Sequence, residues 1–64
     1  MKLNKELIEI GKEVLKKEDR VILASAIGVH ISTIYPILRG VFDVSRRQYD
    51  TLQEYIRKAK KERL

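Results

Sequence analysis

Between His30 and Gly40 the chain carries Ile31, Ser32, Tyr35, Pro36 and Arg39, which share one face if the segment is helical. A hydroxyl, a phenol and a guanidinium on one face can exchange hydrogen bonds and charge with a ligand, which is recognition chemistry rather than bond making. The net charge of +5 is unevenly spread: residues 1–19 are neutral, 20–44 carry +1, and 45–64 carry +4, from seven Lys or Arg against Asp50, Glu54 and Glu62. A basic C-terminal third suits a polyanionic partner. Catalysis is not expected: one His, three Ser and scattered carboxylates assemble no nucleophile, base and orienter at any recognisable spacing. With no cysteine and a single histidine, neither a disulfide frame nor a metal site is expected, and no cofactor is implied.

Four helical segments must position these residues. From Leu3 to Lys17, apolar Leu3, Leu7, Ile10, Val14 and Leu15 recur at helical spacing. Asn4 is placed as the N-cap, Leu3 and Ile8 as a hydrophobic staple, and Gly11 suggests a close helix approach. Asp19 is placed to cap a second helix, Arg20 to Ile27, with Leu23, Ala24 and Ile27 inward and Gly28 ending it; Val29 would plug the turn. A third helix over Ile31 to Arg39 turns Ile34, Ile37 and Leu38 inward, with Pro36 deleting one backbone hydrogen bond and Gly40 as the terminal cap. Ser45 and Gln48 form a capping box, stapled by Val44 and Tyr49. The fourth helix, to about Lys60, would bury Tyr49, Leu52, Ile56 and Ala59, with Tyr55 at the margin. Phe42 is expected to anchor the loop, and Lys58, Lys60, Lys61 and Arg63 to form a solvated, fraying end. The reading is all-α, one domain over residues 1–64. Nothing resembles a signal peptide or a membrane span, so a soluble intracellular chain is expected.

Leu23, Ala24, Ile27, Gly28, Val29, Ile34 and Ile37 together have the spacing of a helix-turn-helix, in which a small residue sits where two steeply crossing helices touch and a glycine makes the turn. The stretch Ala24-Ser25-Ala26-Ile27-Gly28-Val29-His30-Ile31-Ser32-Thr33-Ile34, with Val44-Ser45 opening the next helix, resembles the motif of lambda-repressor-like domains, including the lactose-repressor type. The resemblance covers about Arg20 to Ile56. It implies a compact bundle of four to five helices that binds double-stranded DNA, with the second motif helix in the major groove. Carried over by position, Ile31, Ser32 and Pro36 face bases, and Tyr35 and Arg39 are long enough to reach a base or a phosphate. Arg20, Arg46 and Arg47 fall near phosphates, with Thr33 a weaker candidate. Pro36 and the apolar Ile31 depart from the family pattern.

A monomer on a short site is expected, with no membrane and no small-molecule substrate, in the cytoplasm with the nucleoid if the chain is natural. The Lys- and Glu-filled first helix, the well-placed caps and the absence of cysteine suggest a computationally designed binder, and a trimmed natural domain fits them too. The alternative function is a helical protein-interaction module. That reading needs the exposed apolar residues and tolerates loss of Arg46 and Arg47.

Overall fold

The computed structural model describes residues 1–64 and contains four helices and no strand: α1 (Lys5–Val14), α2 (Lys17–Ile27), α3 (Ile31–Leu38) and α4 (Arg46–Arg63). No fifth helix forms. The Cα radius of gyration is 10.3 Å, against about 10.7 Å for a well-packed domain of this length. No single helix is long and apolar enough to cross a membrane.

Each helix begins where a side chain can satisfy the amides that the first turn leaves free. Asn4 accepts the Leu7 N–H at 2.8 Å and so caps α1. The expected cap of α2 is corrected. That helix starts at Lys17, not Arg20, and Asp19 occupies its third position, where its carboxylate accepts the backbone N–H of Lys16 at 2.7 Å. This is the reverse half of a capping box; an ammonium side chain at Lys16 has no acceptor with which to complete it. The shift turns Asp19 inward. The first helix also ends earlier than its apolar pattern, at Val14, because Leu15 turns extended while its N–H still reaches Gly11 O.

One core of fifteen apolar residues holds the helices together, with Leu7, Leu23, Ile34, Leu52 and Ile56 fully buried at its centre. Every helix contributes to it. Helix α4 packs against α1 and α2, and α2 packs against α3. Val44 enters the core from the α3–α4 loop, where it exchanges two backbone hydrogen bonds with Met1, at 2.6 and 2.8 Å. Phe42 does not anchor that loop: it stays 49% exposed, because Val44 and the Gly40 turn already close the segment. Gly11 is not forced by packing either. A Cβ there would make only ordinary contacts with Leu15 and Ile56, at 3.4 and 3.9 Å.

Candidate nucleic-acid interface

Helices α2 and α3 meet at 101° through Gly28, Val29 and His30. Gly28 has φ +73°, which a side chain would strain, although nothing lies within 4 Å of where its Cβ would be. The requirement is conformational, not steric. Val29 N–H donates to Ala24 O at 2.9 Å and Gly28 N–H to Ser25 O at 3.3 Å, the paired bonds of a Schellman ending. Val29 packs half-buried against the core.

His30 opens α3. Its Nδ1 accepts the Ser32 N–H at 3.1 Å and lies 2.8 Å from the Ser32 hydroxyl. Since Nδ1 is the acceptor for the amide, it also faces the hydroxyl as an acceptor, so Ser32 spends its proton on His30 and presents lone pairs outward. Along α3, Ser32, Tyr35 and Arg39 are exposed, at positions that share a face. Ile31, Thr33 and Pro36 are half-buried, and part of Ile31 packs on the core. The helix runs through Pro36 to Leu38, with Arg39 as its C-cap, one residue before the expected end. Pro36 O accepts the Val41 N–H at 2.9 Å and Ile37 O the Gly40 N–H at 3.0 Å, a second Schellman ending. Gly40 is required by its backbone, with φ +77°; a Cβ there would also press on Ile8 Cδ1, the tip of a side chain that can give way.

The start of α4 is fixed by the capping box, Gln48 N–H to Ser45 Oγ at 3.1 Å and Ser45 N–H to Gln48 Oε1 at 2.9 Å. Gln48 does a second task that sequence reasoning missed. Its amide Nε2 donates to Ile27 O, 2.9 Å away at the C-terminal end of α2, and ties the α4 N-terminus to the α2–α3 turn. Arg46 and Arg47 occupy the first two positions of α4, both exposed. Arg46 makes a surface pair with Asp50 at 3.5 Å, whereas Arg47 has no carboxylate partner. The first turns of α1 and α2 carry Glu6, and Glu18 with Asp19; those of α3 and α4 carry no acid at all. A helix N-terminus is electropositive and normally favours a carboxylate, so these two N-termini, one with two arginines, keep their positive charge without an acidic neighbour in the first turn.

Arg20 sits apart from that pair. Its guanidinium carbon lies 5.2 Å from the centroid of the Tyr35 ring, within cation–π reach, and its Nε is buried without an acceptor. Arg20, Tyr35 and Arg39 line one cavity, so three of the nine sequence-selected residues are brought together there.

The opposite side of α2 corrects the reading of the C-terminus. Helix α4 runs on to Arg63, whose guanidinium donates to both Asp19 oxygens, at 2.6 and 3.0 Å, and to Val14 O at 3.0 Å. Tyr55 OH adds a 2.6 Å bond to Asp19. The Arg63 bonds, opposed by burial and helped by Tyr55 and the Lys16 amide, hold the Asp19 carboxyl well below its ordinary range. The same carboxylate raises Tyr55 and Arg63. Lys58, Lys60 and Lys61 are exposed, as expected of a solvated end, but Arg63 is a structural bolt that an isolated charge run does not reveal.

No group of three or more His, Cys, Asp or Glu side chains lies close enough to hold a metal ion. Compared with protein-family models, curated proteins and solved structures, the chain matches none of them.

Proposed function

We propose that this chain binds double-stranded DNA as a monomer, with α2 and α3 acting as a helix-turn-helix of the lambda-repressor-like kind and α3 lying in the major groove. The observation that carries the reading is the exposed row Ser32, Tyr35 and Arg39, flanked by two helix N-termini that lack acid, one bearing Arg46 and Arg47. From Ser32 to Arg39 the helix advances about 10 Å, the span of about three base pairs. The site read directly is therefore short.

Each side chain has a distinct task in this arrangement. Ser32, its proton committed to His30, accepts from an exocyclic amine, which favours cytosine N4 or adenine N6. Arg39 donates to guanine or to a phosphate, and the apolar surfaces of Ile31 and Pro36 suit a thymine methyl. Tyr35 offers a phenol to base or backbone. Arg46, Arg47 and the α4 amides take phosphates, with Arg20 and Thr33 as secondary phosphate contacts.

The test is selection from a randomised duplex library at two salt concentrations, followed by sequencing of the retained DNA. Enrichment of one short motif, weakened by salt, is the expected result. A protein-interaction role is favoured by a different observation, the exposure of Val21, Ile22, Val41 and Phe42, each about half accessible. Absence of retention even at low salt would select that role and end the DNA reading.

A further inference from the structure

A cavity of about 140 Å³ opens where α1, α2 and α3 converge. Gly11, Leu15 and Leu38 supply its apolar lining. Three cationic side chains, Lys12, Arg20 and Arg39, stand around them with the Tyr35 ring. Of these, only Lys12 has a carboxylate partner, Glu9 at 3.4 Å on the exposed surface. Arg20 and Arg39 have none, and the Arg20 Nε proton is buried with no acceptor.

A buried donor without an acceptor is costly and uncommon in folded proteins. Gly11 lacks the side chain that would narrow the space, although a Cβ could be accommodated there. The other cavity, about 200 Å³ beside Tyr55 and Arg63, offers no such vacancy, because its guanidinium is already spent on Asp19 and Val14 O. Volume alone does not distinguish the two; the two guanidiniums without a carboxylate partner do.

We infer that the cavity between α1, α2 and α3 is a binding site for a small aromatic monocarboxylate. The ring lies against Leu15 and Leu38, and the carboxylate meets Arg20 and Arg39. A dry cavity of about 150 Å³ is enough for a benzene ring, and a guanidinium takes a carboxylate through charge-assisted bonds. A neutral ring leaves the two guanidinium charges without a counter-charge. A bare inorganic anion leaves the apolar lining wet. The required ligand combines both parts, and its binding does not depend on whether the chain also binds DNA.

The experiment is a titration of the ¹⁵N-labelled protein with benzoate, benzyl alcohol and sulfate, in parallel and at matched ionic strength. Benzoate should shift the Gly11, Leu15 and Leu38 amides and the Arg20 Nε–H resonance saturably, with a dissociation constant on the order of 1 mM. Benzyl alcohol and sulfate should bind at least about tenfold more weakly, and Arg20→Met should abolish the benzoate shifts while leaving the remaining spectrum folded. No saturable response to benzoate at about 30 mM overturns the inference, as does sulfate binding equally well. Equal benzoate binding by folded Arg20→Met overturns it too; should that variant not fold, the three ligands on the unaltered protein still decide.

Discussion

Arg63 and Arg39 both sit at the C-terminal end of a helix, where a cation is favoured by the helix dipole. They differ in what they meet. Arg63 reaches back across the bundle to Asp19 and Val14 and leaves no donor of that contact idle; Arg39, with Arg20 beside it, meets no carboxylate. The same residue type is thus structural on one side of α2 and uncommitted on the other. The helix starts repeat the contrast, since α1 and α2 neutralise their N-termini with Glu6, Glu18 and Asp19 while α3 and α4 do not. A chain optimised for stability alone would place acids at all four starts. The two bare starts are those of the helices that carry Ser32, Tyr35 and Arg47.

The largest effect belongs to the committed side. Asp19→Ala strands the Tyr55 hydroxyl and the Lys16 amide and removes the anchor of α4. It should cost about 2–3 kcal/mol in urea unfolding, below the usual range for a fully buried pair because the Arg63 side chain keeps 36% exposure and solvent screens it. DNA retention should persist in whatever fraction stays folded. The pH dependence has a definite sign. The folded carboxyl titrates below its ordinary 3.8, so its contribution is complete above that value and drains away as pH falls beneath it. Stability should show an acid decline below about pH 4 that Asp19→Asn flattens. An unchanged decline in that variant would assign acid lability to other groups.

The uncommitted side should behave in the opposite way. Replacing Arg46 and Arg47 together by Ala should weaken duplex binding about tenfold across sequences and reduce the logarithmic salt slope by about two. Stability should move by no more than about 0.5 kcal/mol, since the exposed Arg46–Asp50 pair contributes little and arginines at a helix start oppose the dipole. An intact salt slope would remove both residues from the proposed interface.

A smaller effect separates the cap of α3 from its reading role. His30→Ala removes the acceptor for Ser32 N–H and should cost about 1 kcal/mol. It also frees the Ser32 hydroxyl proton, so base preference at the contacted position should widen toward acceptors such as guanine O6. A preference identical to that of the unaltered chain would mean that Ser32 does not touch a base.

Local rules made most of the fold legible. Apolar spacing picked out Leu7, Leu23, Ile34, Leu52 and Ile56, all fully buried, and the Asn4 and Ser45 caps and the Gly28 and Gly40 endings follow from neighbours within five residues. What escaped was long-range polar pairing. Asp19 looks like an N-cap when only its neighbours are considered, and Arg63 looks like one more charge in a basic tail; their partnership spans 44 residues and carries no periodicity. Gln48 was legible as half of a capping box, but its bond to Ile27 O needs the angle between helices. The exposure of Tyr35 was readable from Ile34 and Ile37 taking the inward side. Its stacking beneath Arg20 was not, because it depends on how α2 crosses α3.

The finest test of the contrast is Arg20→Met. On the committed side, removing a partner from Asp19 leaves charges and donors unmet. On the uncommitted side, Arg20 contributes its stem to packing and its guanidinium to the face of Tyr35, but its Nε already lacks an acceptor. Methionine keeps an unbranched apolar stem, forgoes a cation–π contact of about 0.5–1 kcal/mol, and removes the desolvated donor, a gain of similar size. The two should nearly cancel, so the unfolding free energy measured in urea should change by less than about 0.5 kcal/mol. Duplex affinity should nonetheless fall severalfold, with the salt slope reduced by about one. A large loss of stability would place Arg20 with Arg63 as a structural cation, and the division of charge between the two sides of α2 would then have to be redrawn around Arg39 and Arg47 alone.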